Sequence, residues 1–327
     1  EFIDSKDQFE QYNAIAVLAS FKSKKYNHKI LEVFKAAKFN TIGGRIACSF
    51  LLKFGSESDK KVIKNEVSNY ISEEIINTLP IHFLNVDAKN TLLLYYAYVF
   101  AFDDEVLRKK IYQLIEKIPF RVNTFKSIRY IYRATQITND FQFFGVLSKK
   151  MALNKPGYSS EYIYDSNNNW ISVEVEKKKK NPSIAFSKKT KTYFNAATYK
   201  KLYDLSKEDT DIYIKFATKI LVSLNDKEDN VKEEIQYFYN YDWSTESYNN
   251  EQRHYPKYHN FLGLMYILYG DSTRFFQQKN KWYYVEEAKN ENFREEVLST
   301  IWNEKPKEVL QILADAKSDV AINFSLR

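Results

Sequence analysis

The residues with the clearest potential for chemistry are seven lysines in one short segment. From Lys177 to Tyr203 the chain contains no Asp or Glu. The whole chain has a formal net charge of +7, so its excess positive charge is concentrated locally. Clustered lysines can replace the counterions of phosphate groups, which makes this segment a candidate polyanion-binding site. The candidate residues are Lys177, Lys178, Lys179, Lys180, Lys188, Lys189 and Lys191.

A structural interpretation of the same lysines is also open. On a helix that begins near Ser187, the lysines up to Lys201 scatter around the axis at about 100° per residue and do not form one stripe. The segment from Lys177 to Lys180 is predicted to be a loop, where like charges are most often solvated. The lysines therefore either bind a polyanion or keep the surface soluble.

A second candidate contact lies in the segment LYGDSTRF. Gly270, Asp271 and Ser272 are turn-forming residues that can end a helix. Arg274 and Trp282 are the candidate contact residues of this loop. Arg274 either projects into a groove towards a ligand or pairs with a carboxylate, and in the structural interpretation Trp282 seals the core beneath. The clear turn roles of Gly270 and Ser272 favour the structural interpretation.

Motifs for catalysis and metal binding are missing from the sequence. His254 and His259 are five residues apart with a proline between them, which is not the spacing of a helical zinc site. Glycine-rich nucleotide loops and the Gly-x-Ser-x-Gly motif are also absent. We therefore expect no catalytic residue, cofactor or metal, and an enzyme is the less favoured class.

The composition predicts the elements that must position these residues. In 327 residues there are only 7 Gly and 6 Pro, which leaves few of the tight turns that sandwiches and barrels need. Long helices joined by polar turns fit better. The 17% share of aromatic residues is expected mainly to fill helical cores, because the rings recur at helical spacing among aliphatic residues.

The cysteine content and the hydropathy of the chain bear on the cellular compartment of the protein. With Cys48 as the single cysteine, no disulfide can form within the chain. The longest apolar run, from Thr91 to Phe102, is shorter than the roughly eighteen residues of a spanning helix. The first residues carry no signal-peptide pattern. We expect a cytoplasmic fragment of a longer protein with no membrane partner.

Periodicity along the chain predicts an all-α fold with one exception. Short amphipathic helices in antiparallel pairs cannot bury their apolar faces alone, so neighbouring pairs should stack as a right-handed HEAT/ARM-like α-solenoid. Alternation of Ile171, Val173 and Val175 with polar residues predicts a small inserted β-hairpin. The expected divisions are helical repeats over 1–153, hairpin and basic loop over 154–181, and further repeats over 182–327.

Three stretches, Phe120 to Ser148, Ala185 to Leu205 and the segment from Leu268 onward, resemble blocks of large bacterial HEAT-repeat proteins. Those proteins often begin with a WGR domain, and some carry a molybdate-metabolism-regulator label. The resemblance implies an α-solenoid without an established catalytic residue. Asn195 and the two alanines after it stand where those relatives have basic residues. The most specific matching positions are Phe186, Ser187, Thr190, Tyr193, Leu268, Tyr269, Gly270, Ser272, Arg274 and Trp282.

The function expected from these observations is a non-enzymatic interaction scaffold with a protein partner. The alternative is a nucleic-acid-binding module that uses the basic segment from Lys177 to Lys201. A third, less favoured possibility is an enzyme that resembles helical-repeat DNA glycosylases, with Asp242 and Trp243 as its acidic and aromatic residues. The sequence does not indicate whether a small molecule binds.

Overall fold

A computed structural model describes residues 2–84, 92–165, 167–179, 182–244, 246–278, 280–285 and 294–327. Most of these residues are helical, which confirms the prediction of a mainly helical chain. The chain divides into two compact units. The first comprises Glu1–Phe144 and Gly157–Phe186, and the second comprises Gly145–Pro156 and Ser187–Arg327.

The helices are short and follow one another closely in the chain. A single 3-10 turn at Phe2–Asp4 precedes them. They are α1 (Gln8–Ser20), α2 (Asn27–Ala37), α3 (Ile42–Phe54), α4 (Glu57–Val67), α5 (Glu73–Leu84), α6 (Leu93–Phe100), α7 (Glu105–Lys117), α8 (Val122–Thr138), α9 (Phe141–Leu153), α10 (Val173–Lys178), α11 (Lys188–Glu208), α12 (Thr210–Ser223), α13 (Asp226–Asp229), α14 (Leu262–Tyr269), α15 (Ser299–Asn303), α16 (Pro306–Asp315) and α17 (Asp319–Ser325).

The strands form two antiparallel sheets. A hairpin in the first unit pairs two short strands, and a sheet in the second unit pairs four strands in the order β3-β4-β6-β5. The strands are β1 (Tyr162–Tyr164), β2 (Trp170–Ser172), β3 (Glu234–Asp242), β4 (Ser247–Tyr255), β5 (Phe276–Gln278) and β6 (Lys281–Val285).

The core of the first unit is built around α3, which contacts α1, α2, α4 and α8. Gly44 lies in its first turn, where a Cβ atom would sit 2.0 Å from the carbonyl oxygen of Lys38. Buried aromatic rings fill the interior, among them Tyr95 and Tyr98 of α6. Many of the aromatic residues therefore have the core-filling role that their spacing predicts, while others are exposed.

A buried polar group joins α6 and α7 to Asp140, which lies between α8 and α9. Arg108 of α7 donates from Nη2 to Oδ2 of Asp140 at 2.7 Å, and the hydroxyl of Tyr98 donates to the same oxygen at 2.9 Å. Asp140 is 8% exposed, so these two donors replace the hydration that its buried carboxylate has lost.

The predicted hairpin is present, but its second strand is shorter than the alternation suggests. Tyr162 pairs with Ser172, and the chain then turns into α10 at Val173. The expectation of strand at Val173 and Val175 is wrong. Ser172 caps the helix by accepting a hydrogen bond from the Val175 amide at 3.3 Å. Acidic residues in the first turn and lysines in the last turn suit the helix dipole.

The second unit combines helices with a sheet that the sequence analysis did not anticipate. α11 packs against α12 and α14, and α12 also contacts α16. The polar interval before α14, expected to belong to helical repeats, forms the nine-residue strands β3 and β4 instead. In β3, Ile235 and Tyr237 are exposed while Gln236 and Phe238 on the other face are half-buried, which is the period-two alternation of a strand.

Within the described residues, no helix combines the length and the apolar character that crossing a membrane requires.

Candidate polyanion-binding site

Lys177, Lys178 and Lys179 of the basic segment lie in the first unit, and two of them are already paired. Lys177 Nζ is 2.9 Å from a Glu174 carboxylate oxygen. Lys179 Nζ is 2.8 Å from Glu176 and 3.3 Å from Asp165. Lys180 lies outside the described residues. The density of lysines in the sequence therefore overstates the charge that this segment can offer to a ligand.

Glu176 explains why this segment is a helix end and not a loose loop. Its buried carboxylate accepts hydrogen bonds from the Ser183 amide at 2.7 Å and the Ser183 hydroxyl at 2.8 Å. The hydrogen bond from Lys179, together with those from Ser183, holds the pKa of Glu176 below its usual range. The lysines nearest to it are thus part of a local structural network. Lys178 is exposed at the end of α10.

The other three lysines begin α11 in the second unit, where Ser187 is the N-cap. Its hydroxyl oxygen accepts a hydrogen bond from the Thr190 amide at 3.1 Å. Lys188 and Lys191 are three residues apart, so they lie on the same face of the helix. Both line a cleft in this unit, whereas Lys189 is exposed elsewhere on the helix.

The cleft has a volume of about 520 Å³ and lies between the start of α11 and the four-stranded sheet. Its sheet wall contains the side chains of Phe238 and Tyr255 together with several amide groups. A third lysine, Lys281, follows the turn between β5 and β6, with its Nζ atom 4.9 Å from the centre of the Tyr255 ring. The other residues that line the cleft are Pro156, Lys188, Lys191, Thr192, Asn195, Gln236, Asn260, Gln278 and Asn280.

Hydrogen bonds hold the walls of the cleft together. Asn280 Nδ2 donates to Thr192 Oγ1 at 3.2 Å and so ties the β5–β6 turn to α11. Asn195 Nδ2 donates to the backbone oxygen of Asn260 at 2.6 Å, and the Leu262 amide donates to Asn195 Oδ1 at 3.1 Å. Asn195, which the resemblance marked as a departure from a basic position, is therefore a buried structural residue here.

The charge in the cleft is unbalanced. Within the described residues, no carboxylate forms an ion pair with Lys188, Lys191 or Lys281. Burial lowers the pKa of Lys191, because its ammonium group has lost hydration without gaining a counter-charge. A bound anion would supply that charge.

His259 lies beside the cleft, but its ring is buried and contacts neighbouring residues. Its ring is 2% exposed, with Nδ1 3.2 Å from the Pro256 oxygen and Nε2 2.8 Å from the Asn260 side-chain nitrogen. Burial lowers the pKa of His259, so the neutral ring is favoured. In the part of the chain that the structure describes, no three His, Cys, Asp or Glu side chains are grouped to hold a metal ion.

The aromatic island around Asp242 and Trp243 forms the end of β3 and the turn after it. Trp243 is 85% exposed, and its ring centre is 4.8 Å from that of Tyr241. Tyr237 and Tyr239 are exposed on the strand face opposite Phe238, which lines the cleft. The exposed rings and the cleft thus belong to opposite faces of the strand.

Arg274 and Trp282, the candidate loop contacts, both have structural roles. Arg274 binds Glu295 in a bidentate manner, with Nε to Oε1 at 2.6 Å and Nη2 to Oε2 at 2.7 Å. The Ser272 hydroxyl donates to the same carboxylate at 2.6 Å. Trp282 is 6% exposed, so its ring fills the core.

Sequence reasoning found two of the three cleft lysines and missed Lys281. The available signal was the segment FFQQKNKWYYV, in which polar residues including an asparagine separate two aromatic runs, as in a β-hairpin. No protein-family model matches this chain. Likewise, no curated protein sequence and no solved structure shows significant similarity to it.

Proposed function

We propose that this chain is a non-enzymatic interaction scaffold that binds nucleic acid through the cleft of Lys188, Lys191 and Lys281. The observation that carries the proposal is the convergence of three lysines without carboxylate partners among the described residues. Phosphodiester groups are the counter-charge that such an arrangement suits best, because counterion release favours the contact.

The lining of the cleft favours a nucleotide chain over a simple inorganic anion. A volume of about 520 Å³ falls within the range of ligand pockets. Among the amides that line the cleft, Gln236 donates to Glu234 at 3.2 Å and Gln278 accepts from Arg253 at 2.8 Å. The Gln236 oxygen and the Gln278 nitrogen can hydrogen-bond the edges of unpaired bases. The Arg253 guanidinium carbon is 4.1 Å from the centre of the Phe238 ring, so one face of this ring is already occupied. These features support a single strand as the ligand.

The wider setting of the proposal follows the resemblance to bacterial HEAT-repeat proteins associated with WGR domains. Contacts between alternate helices, such as α1 with α3 and α6 with α8, are those expected of stacked helix pairs. α3 also contacts α8, although four helices separate the two in the chain, so this contact goes beyond the pattern of neighbouring pairs. We propose that the module acts in the cytoplasm, which the single buried Cys48 supports.

The proposal is tested by fluorescence anisotropy with labelled single-stranded and duplex DNA over a range of salt concentrations. The double variant K191S/K281S should bind more weakly, and the slope of log K against log salt should fall by about 0.7 for each single-strand phosphate that a lysine no longer neutralises. The matched control is K200S, on the same helix, because Lys200 is exposed and paired with Asp204 at 2.9 Å.

A second variant, K177S/K179S, removes two charges from the paired lysines of the first unit. We expect it to change the slope little, because both ammonium groups already have carboxylate partners. Equal binding by the parent and K191S/K281S would contradict the proposal.

A protein partner is the second candidate function. β3 is at one edge of its sheet, and it displays Ile235, Tyr237 and Tyr239 on an exposed face. Exposed edge strands and aromatic surfaces favour association with another chain. Sedimentation velocity over a range of concentrations should detect self-association, and Y239S should weaken it.

A further inference from the structure

Three arginines of the first unit lie close together without forming part of the cleft described above. Arg129 and Arg133 are four residues apart on α8 and therefore lie on one helix face. Arg45 lies on α3, which packs against α8. Arg45 and Arg133 line the same small cavity of about 20 Å³, together with Tyr130.

The hydrogen-bonding capacity of these arginines is largely unused. Arg45 Nη1 donates to the Phe39 oxygen at 2.6 Å, and its guanidinium carbon is 4.0 Å from the centre of the Tyr130 ring. Arg129 has a buried Nε that finds no hydrogen-bond partner in the described part of the chain. Within the described ranges, no carboxylate forms an ion pair with Arg45, Arg129 or Arg133.

Electrostatics make this arrangement costly without a ligand. Burial lowers the pKa of Arg45 and of Arg129, and the neighbouring charge of Arg133 lowers both further. Like charges on one helix face repel each other. Packing accounts for Arg45, which stacks on Tyr130, and for Arg129, whose guanidinium carbon is 5.6 Å from the centre of the Phe125 ring. It does not account for three positive charges near one another.

We propose that Arg45, Arg129 and Arg133 form a binding site for a phosphate group. Guanidinium groups present paired N–H donors whose geometry matches the oxygens of a phosphate. The cavity between Arg45 and Arg133 has the volume of about one water molecule, so it can take one phosphate oxygen. The site belongs to the first unit and does not depend on the lysine cleft.

The phosphate can come from a free ion or from a phosphodiester chain. Tyr158 relates the cluster to the predicted basic segment. It is close enough to Arg129 to influence the pKa of that residue, and its ring centre is 5.2 Å from Lys177 Nζ. The shared chemistry is the phosphate oxygens, and the experiment separates the two sources.

The test is isothermal titration calorimetry of the full chain with inorganic phosphate, at an ionic strength held constant with potassium chloride. Loss of one charged hydrogen bond should reduce the affinity of R133Q and R129Q by about tenfold or more. K126Q is the matched control, because Lys126 is an exposed lysine of the same helix. R133K keeps the charge and should bind phosphate better than R133Q does.

Thermal unfolding gives a second readout. Without phosphate, R133Q should unfold at a higher temperature than the parent, since the repulsion is relieved, while K126Q should not. Phosphate at several times its Kd should raise the midpoint of the parent by about 2–4 °C and that of R133Q by less. Absence of phosphate binding by the parent, or equal binding by R133Q, would overturn the proposal.

A short single-stranded oligonucleotide without a terminal phosphate distinguishes the sources. If R133Q weakens binding of the oligonucleotide in a K191S/K281S background, the site takes phosphodiester groups. If R133Q weakens only the binding of inorganic phosphate, the site takes the free ion. The lysine cleft is already removed in that background, so any effect of R133Q there reports on the arginine site alone. The proposed nucleic-acid function is tested by comparing K191S/K281S with the parent.

Discussion

The Asn195 side chain binds the backbone of the 260–262 segment as donor and as acceptor, at 2.6 Å to the Asn260 oxygen and 3.1 Å to the Leu262 nitrogen. Lys191 lies one helical turn before Asn195, so the same amide that joins α11 to the start of α14 also fixes the lysine wall of the cleft. Asn195 is 3% exposed, so its side chain is shielded from bulk water.

We predict that N195A lowers the free energy of unfolding by about 1–3 kcal/mol, because a buried carbonyl and a buried amide lose their partner. Urea denaturation followed by circular dichroism measures the change. N65A is the control, since Asn65 is an exposed helical residue, and its stability should be unchanged or slightly raised. A fully stable N195A would show that the amide does not hold the wall.

We predict that Asp226 contributes stability that depends on pH. Burial opposes its charge, but hydrogen bonds from Ser318, from the Asp319 amide and from Tyr258 outweigh burial and hold the pKa of Asp226 well below its usual range. A lowered folded-state pKa gives stability that is present above the unfolded value, about 4, and is lost as the pH falls below it.

The measurement is urea denaturation at several pH values from neutral to acidic. D226N should be less stable than the parent at neutral pH, and the gap should narrow as the pH falls below about 4. The control D204N removes a surface carboxylate that pairs with the exposed Lys200 at 2.9 Å, so its effect should be small throughout. If the difference in unfolding free energy between the parent and D226N did not change with pH, Asp226 would not be the source of the pH dependence.

We predict that Arg274 stabilises the fold and does not contact the ligand. Glu295 is 4% exposed, so R274M leaves a buried carboxylate without its main partner, at a cost of about 3–5 kcal/mol. The double variant R274M/E295L, which removes both charges, should lose less. Chemical denaturation checks stability, and anisotropy with single-stranded DNA should give the parent's affinity for the folded fraction of each variant. A stable R274M that fails to bind DNA would contradict this assignment.

Local patterns were sufficient for much of the fold. Ser187 before α11 and Asp104 before α7 are residue types that favour the start of a helix, and both accept hydrogen bonds from the first turn. At Ser172, two local signals competed. Alternation of Val173 and Val175 suggested a strand, but the cap and the acidic first turn produced a helix.

The candidate site was predictable only in part. Lys188 and Lys191 could be selected from charge and spacing, but Lys281 joins them across a sheet whose strands β4 and β6 are far apart in the chain. Likewise, the pairing of Lys179 with Asp165 depends on the return of the β1–β2 hairpin. Short-range patterns do not encode such distances.

The sequence by itself determined that the chain is mainly helical, that aromatic rings fill its interior and that positive charge is concentrated around Lys177 to Lys201. Propensity, periodicity and composition act within a few residues, so they can be read directly. Tertiary structure decided which of those charges have partners and which face a cleft. An ion pair or a binding wall requires side chains from distant segments to lie within a few ångströms, and only the packing of the folded chain brings them there.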